Sequence, residues 1–146
     1  VANASISGDT SANGRSRLPA DLERHRPAIV VLALGANDGL RGLPVGALKD
    51  NLRAMIRASR QANARVVLVG MDMPPNYGPD YRRKFREAFA QTAASERASL
   101  VPFMLDGFAA KRQYFQPDGI HPTAEAQPLI LENIWPVLEP LLGAKR

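Results

Sequence analysis

The 146-residue chain contains no cysteine. Disulfides, thiolate nucleophiles and thiolate metal ligands are therefore excluded, although the absence says little about compartment. No apolar run approaches the ~18 residues of a membrane-crossing helix, so stable membrane insertion is not expected. Aromatic residues are only 6% of the chain and do not interleave with basic ones as a base-stacking surface requires, which argues against a nucleic-acid partner. No Gly-Asp-Ser string, internal repeat, low-complexity tract or linker occurs either, and residues 1–146 read as one domain. What is present is the composition of an ordinary globular fold, with 45% hydrophobic and 23% charged residues.

The net charge is +5, and the basic residues fall in three groups. Arg15, Arg17, Arg24 and Arg26 form one, Arg53, Arg57 and Arg60 another, and Arg82, Arg83, Lys84 and Arg86 the third. Each lies on a stretch with helical apolar spacing and has acids mixed in, such as Glu23, Asp50 and Glu87. That pattern predicts solvated helix faces.

Ala28–Leu34 and Arg65–Met71 are apolar runs without alternation, and Ser99–Phe103 is a weaker third. Such runs predict strands buried on both faces, as in a parallel sheet. Val1–Ile6 is a shorter fourth candidate. Apolar residues recur at helical spacing over about Val45–Asn63 and from Pro79–Asp80 onward. Ser11–His25 reads as a helix broken or restarted at Pro19. A last helix is expected from about Thr123 to Leu142, capped by Thr123 and bent or divided at Pro128, Pro136 and Pro140. Strand alternating with helix implies an α/β fold with right-handed crossovers.

In such folds chemistry gathers in the loops at the carboxyl ends of the strands. In the loop before the last helix, Asp118 and His121 stand three residues apart. A carboxylate at that spacing can engage one imidazole nitrogen and leave the other as a general base, two members of a hydrolytic triad. The simpler alternative is a surface turn in which Asp118 caps locally. A metal site is disfavoured, because the second histidine, His25, sits at a helix end among arginines. Asn37 follows Gly35-Ala36 after the strongest strand, where its amide can face a developing oxyanion or merely cap a turn. Gly8 can bring a bare backbone N–H close to a ligand, or simply supply a turn that needs positive φ.

Taken together, Asn3-Ala4-Ser5-Ile6-Ser7-Gly8-Asp9-Thr10-Ser11, Gly35-Ala36-Asn37-Asp38-Gly39 and Asp118-Gly119-Ile120-His121-Pro122 resemble blocks of the SGNH (GDSL) hydrolase superfamily. The likeness is greatest to its bacterial thioesterase I/lysophospholipase/arylesterase branch. Asn37 to Gly42, Pro75-Asn76-Tyr77-Gly78 and Ala126-Gln127-Pro128 extend it over nearly the whole chain. The resemblance implies a flavodoxin-like three-layer α/β/α sandwich with a parallel sheet, and hydrolysis of small acyl esters or thioesters without a metal or organic cofactor. It assigns His121 as base, Asp118 as its orienting acid, and Gly8 and Asn37 as oxyanion donors. It makes Gly39, Leu40, Arg41, Gly42, Leu43 and Pro44 a mobile loop bordering the acyl groove. Met73, Tyr77 and Ile120 become candidate lining residues, with core or turn roles as alternatives.

The family's nucleophile is the serine of a Gly-Asp-Ser-Leu motif after its first strand, upstream of the block that opens here at Asn3. Gly8-Asp9-Thr10 belongs to the second block, and Ser5, Ser7 and Ser11 are not in the nucleophile's place. The expectation is a piece lacking the first strand, first helix and nucleophile, inactive alone, and either poorly folded or paired with another chain. The resemblance also implies a periplasmic or secreted enzyme of lipid metabolism, whose signal peptide would precede Val1. Two rival classes stand beside it: an acyl-binding module without a nucleophile, and a basic-surface binder of anionic lipid or nucleic acid. Oligomeric state is left open.

Overall fold

The computed structural model describes residues 1–143. In chain order, helix α1 (Ser11–His25) leads to strand β1 (Ile29–Leu32), the short helix α2 (Ala36–Leu40) and helix α3 (Val45–Gln61). Strand β2 (Arg65–Val69), helix α4 (Pro79–Glu96), strand β3 (Ser99–Val101) and helix α5 (Gln127–Leu142) follow. The three strands are parallel in the order β1-β2-β3, with Ile29 opposite Arg65 and Val67 opposite Ser99. Each expected apolar run therefore becomes a strand, two or three residues shorter than the run.

Alternate strand residues face opposite layers. Leu32, Val66 and Leu68 pack with Leu48, Leu52, Met55 and Ile56 of α3 and Phe85 and Phe89 of α4. Val67, Val69 and Val101 pack on the other side with Ile134, Val137, Leu138 and Leu141 of α5. The two phenylalanines are fully buried and meet edge to face at 5.3 Å. Burial of each contributes roughly 1.5–3 kcal/mol.

Four local expectations are corrected. Val1–Ile6 forms no strand and lies exposed, with Ser5 N–H donating instead to the Asn3 side chain at 3.0 Å. A strand exists only by pairing, and this segment pairs with none of the described strands. Helix α1 runs unbroken through Pro19, because Leu18 and Leu22 on either side anchor both halves on the core while Pro19 faces solvent. Likewise α5 is one helix, not divided at Pro136 or Pro140. Its prolines sit on the exposed face, where the carbonyls they leave unpaired meet water. Thr123 heads a separate 3-10 turn, Ala124–Ala126, and makes no side-chain cap, so α5 proper starts at Gln127.

Among the described residues, β1 pairs on one side only, with β2. Beside its other edge lies an open, mostly apolar groove of about 970 Å³, walled by Ile6, Leu18, Leu22, Val31 and Leu138 and reaching Asn37. Val31, near the middle of this edge, is 44% exposed.

Candidate active site

The carboxyl end of β1 turns into α2 through Gly35, whose φ of 118° is a conformation that side chains resist. Asn37 and Asp38 lie in the first turn of α2 and point to different partners. The Asn37 amide donates to the Asp9 carbonyl at 2.9 Å. An amide carries two hydrogens, so this bond orients the second one. Asp38 is buried and accepts from Ser11 N–H at 2.7 Å and from the Ser11 hydroxyl. Asn51 of α3 donates to the same hydroxyl at 2.9 Å. Asp38 thus sits at the amino end of α1, where unsatisfied N–H groups favour a negative charge. The Thr10–Asn13 capping box closes the same helix end. Gly8 is exposed, has φ 82°, and its carbonyl accepts from Arg41 at 2.9 Å. One hydrogen-bonded cluster therefore joins Gly8–Ser11 to Asn37, Asp38 and Arg41.

Arg41 belongs to the segment Gly39–Pro44, which two phenols hold by its main chain. Tyr77 donates to the Leu40 carbonyl at 2.9 Å, and Tyr81 contacts the carbonyls of Gly39 and Leu43 at 3.4 and 3.3 Å. Tyr77 is thus a fastening for this loop. Gly39 presses on Met73 so closely that an added Cβ would lie 2.3 Å from the sulfur. Met73 is buried in the core rather than open to solvent. Arg41, Gly42, Leu43 and Pro44 are exposed, and Leu40 is half-buried.

A second cluster carries Asp118 and His121. Phe115 and Pro122 form an antiparallel bridge, Gln116 N–H donates to the His121 carbonyl at 2.8 Å, and Thr123 N–H donates to the Tyr114 carbonyl at 2.8 Å. Between them Asp118 makes an Asx turn, accepting from the N–H groups of Ile120 and His121 at 2.9 and 3.0 Å. Its other oxygen meets His121 Nδ1 at 2.7 Å. The imidazole bond and the two backbone donors hold the Asp118 carboxyl down at about 2. Both side chains are exposed, and Ile120 lies exposed between them. The hairpin rests on Phe108, Tyr114 and Phe115, which pack with Met71 just beyond β2. Both clusters therefore stand at the carboxyl end of the sheet. Among the described residues, no three His, Asp or Glu side chains are grouped as a metal would require.

The GDSL-like lipase/acylhydrolase family model matches residues 1–128, which include every residue of both clusters. The chain belongs to that family. Its similar relatives include Esterase TesA of Pseudomonas aeruginosa, 51% identical over 142 residues that cover 97% of this chain and 71% of the relative. Another is Thioesterase 1/protease 1/lysophospholipase L1 of Escherichia coli, 41% identical over 98% of this chain and 69% of that protein. Among solved structures, a psychrotrophic esterase EstA from Pseudoalteromonas sp., inhibited by monoethylphosphonate, superposes with a TM-score of 0.91. It is 41% identical and covers 98% of this chain and 78% of its own. The α/β fold and the acylhydrolase class are thus shared with characterised family members.

Family spacing does not single out Ser11, Asn51, Tyr81 or Arg112, yet each holds a backbone or side chain of the two clusters. Their partners lie 27, 40, 38 and 3 residues away respectively, with no periodic signal to connect them. Ser11 itself is completely buried, with its hydroxyl bonded to Asp38.

Proposed function

We propose that the intact protein hydrolyses acyl esters or thioesters through a serine that lies outside residues 1–146. The observation that carries this reading is the 2.7 Å bond between His121 Nδ1 and Asp118 on an exposed hairpin. It fixes the ring so that Nε2 is the atom able to take the serine proton, while Asp118 stabilises the imidazolium that forms. The serine oxygen attacks the acyl carbon, and the Gly8 N–H and Asn37 amide stabilise the oxyanion. His121 then returns the proton to the leaving oxygen or sulfur, and water repeats the sequence to release the acid.

The free edge of β1 supports the placement of the nucleophile. An extended segment added parallel to β1 would fill the groove and deliver its carboxyl end beside Asn37. Inhibition of the related esterase by a phosphonate, a tetrahedral mimic that captures activated hydroxyls, agrees with serine chemistry. Leu40, Leu43 and Ile120 offer apolar surface for the acyl chain. A periplasmic or secreted location suits the reading, and no helix among the described residues is long and apolar enough to cross a membrane.

The test compares residues 1–146 with a chain extended upstream, using p-nitrophenyl butyrate and an acyl-CoA thioester. Only the extended chain should turn over. His121→Ala in it should lower kcat by at least about a thousandfold, and Asn37→Ala by about a hundredfold. An extended chain that binds acyl ligands without hydrolysing them would make the protein an acyl-binding module. Unchanged turnover in His121→Ala would remove the dyad.

A further inference from the structure

Arg112 lies outside the contacts that define the dyad, yet its guanidinium is bound to the same hairpin. Nη1 donates to the carbonyls of Phe115 and Gln116 at 3.0 and 2.6 Å, and Nη2 donates to that of Pro117 at 2.8 Å. Three successive carbonyls thus converge on one planar cation. The third belongs to the peptide that joins Pro117 to Asp118, so fixing it fixes the plane from which the Asp118 Cα departs. On the opposite side of the same strand, Gln116 N–H is held by the His121 carbonyl. The segment leading into Asp118 is therefore gripped from both sides, although it is exposed and has no core packing of its own beyond Phe115.

We infer that Arg112 is a positioning residue that sets the register of Asp118 against His121. The inference rests on the reading of Asp118–His121 as the catalytic dyad. A lysine cannot replace Arg112, because an ammonium is a point donor and cannot span three carbonyls in one plane. Without the fork the Pro117–Asp118 peptide rotates more freely, and the 2.7 Å contact with His121 is held for less of the time.

Two measurements on Arg112→Ala and Arg112→Lys test this. In the catalytically complete chain, the Asp118 carboxyl followed by NMR should titrate at about 2 in the parent and move up toward 3.8 in both variants. Lysine keeps the charge, so a shift in both reports lost geometry, whereas a shift in alanine alone would indicate simple charge attraction and overturn the inference. In the catalytically complete chain, both variants should lower kcat by roughly 10- to 100-fold with KM unchanged, the scale of a ~1 Å misplacement. An unmoved titration together with unchanged kcat would also overturn it. If Asp118→Ala itself leaves turnover intact, the dyad reading falls instead, and the titration still reports on Arg112.

Discussion

Asp118 shows how much one short-range bond can settle. Its carboxyl value, about 2 against the usual 3.8, is lowered chiefly by His121 and then by two backbone N–H groups. A value depressed by folding means the ordered hairpin is favoured above about pH 4, and that this contribution is lost as pH falls from there toward 2. Asp118→Asn keeps an oxygen to accept the two N–H groups but does not titrate. We expect the thermal midpoint of the parent to fall more steeply than that of the variant between pH 4 and 2, a difference calorimetry at stepped pH would read. Equal slopes would mean that Asp118 is not held this way. The Asp118–His121 contact was legible because its members are three residues apart, within one turn. The Asp38–Ser11 pair was not, because its members, 27 residues apart, meet only once α1 and α2 have packed.

The strands and long helices were readable from continuous apolar runs and from helical periodicity. What misled were residues judged by local rules alone. Pro19 read as a break and Pro136 and Pro140 as points of bending or division, yet neither helix is divided, because packing on their neighbours' side outweighs one lost hydrogen bond each. Val1–Ile6 had strand composition but no described strand to pair with. Gly70 makes the opposite case, a small residue whose reason appears only in three dimensions. It follows β2, donates to the Val101 carbonyl at 2.8 Å, and an added Cβ would lie 2.2 Å from the Pro102 carbonyl oxygen. That obstacle is backbone and cannot swing aside. Gly70→Ala should therefore destabilise by at least about 1–3 kcal/mol in denaturant titration. A neutral result would mean that the β2–β3 junction yields easily.

For the molecule as a whole, the basic balance matters less than the free sheet edge. Arg57 pairs with Glu96, and Arg82 and Arg86 with Asp72, so the arginine groups are largely answered within the fold. The free edge of β1 and the exposed Val31 are not. Residues 1–146 made alone should self-associate in sedimentation experiments, and Val31→Lys should shift them toward monomer, since a charge on an edge strand opposes pairing. A parent that stays monomeric at high concentration would count against this. The parallel pairing of the described strands followed from the alternation of runs and helices. The vacant edge was anticipated only through the family resemblance, because nothing in an apolar run states how many neighbours it will have.

Tyr77 and Tyr81 grip carbonyl oxygens, a feature common to every amino acid. The identity of Leu43 is thus uncoupled from the course of the chain around it. Selection, or an engineer, can exchange that exposed side chain without redrawing the scaffold that presents it.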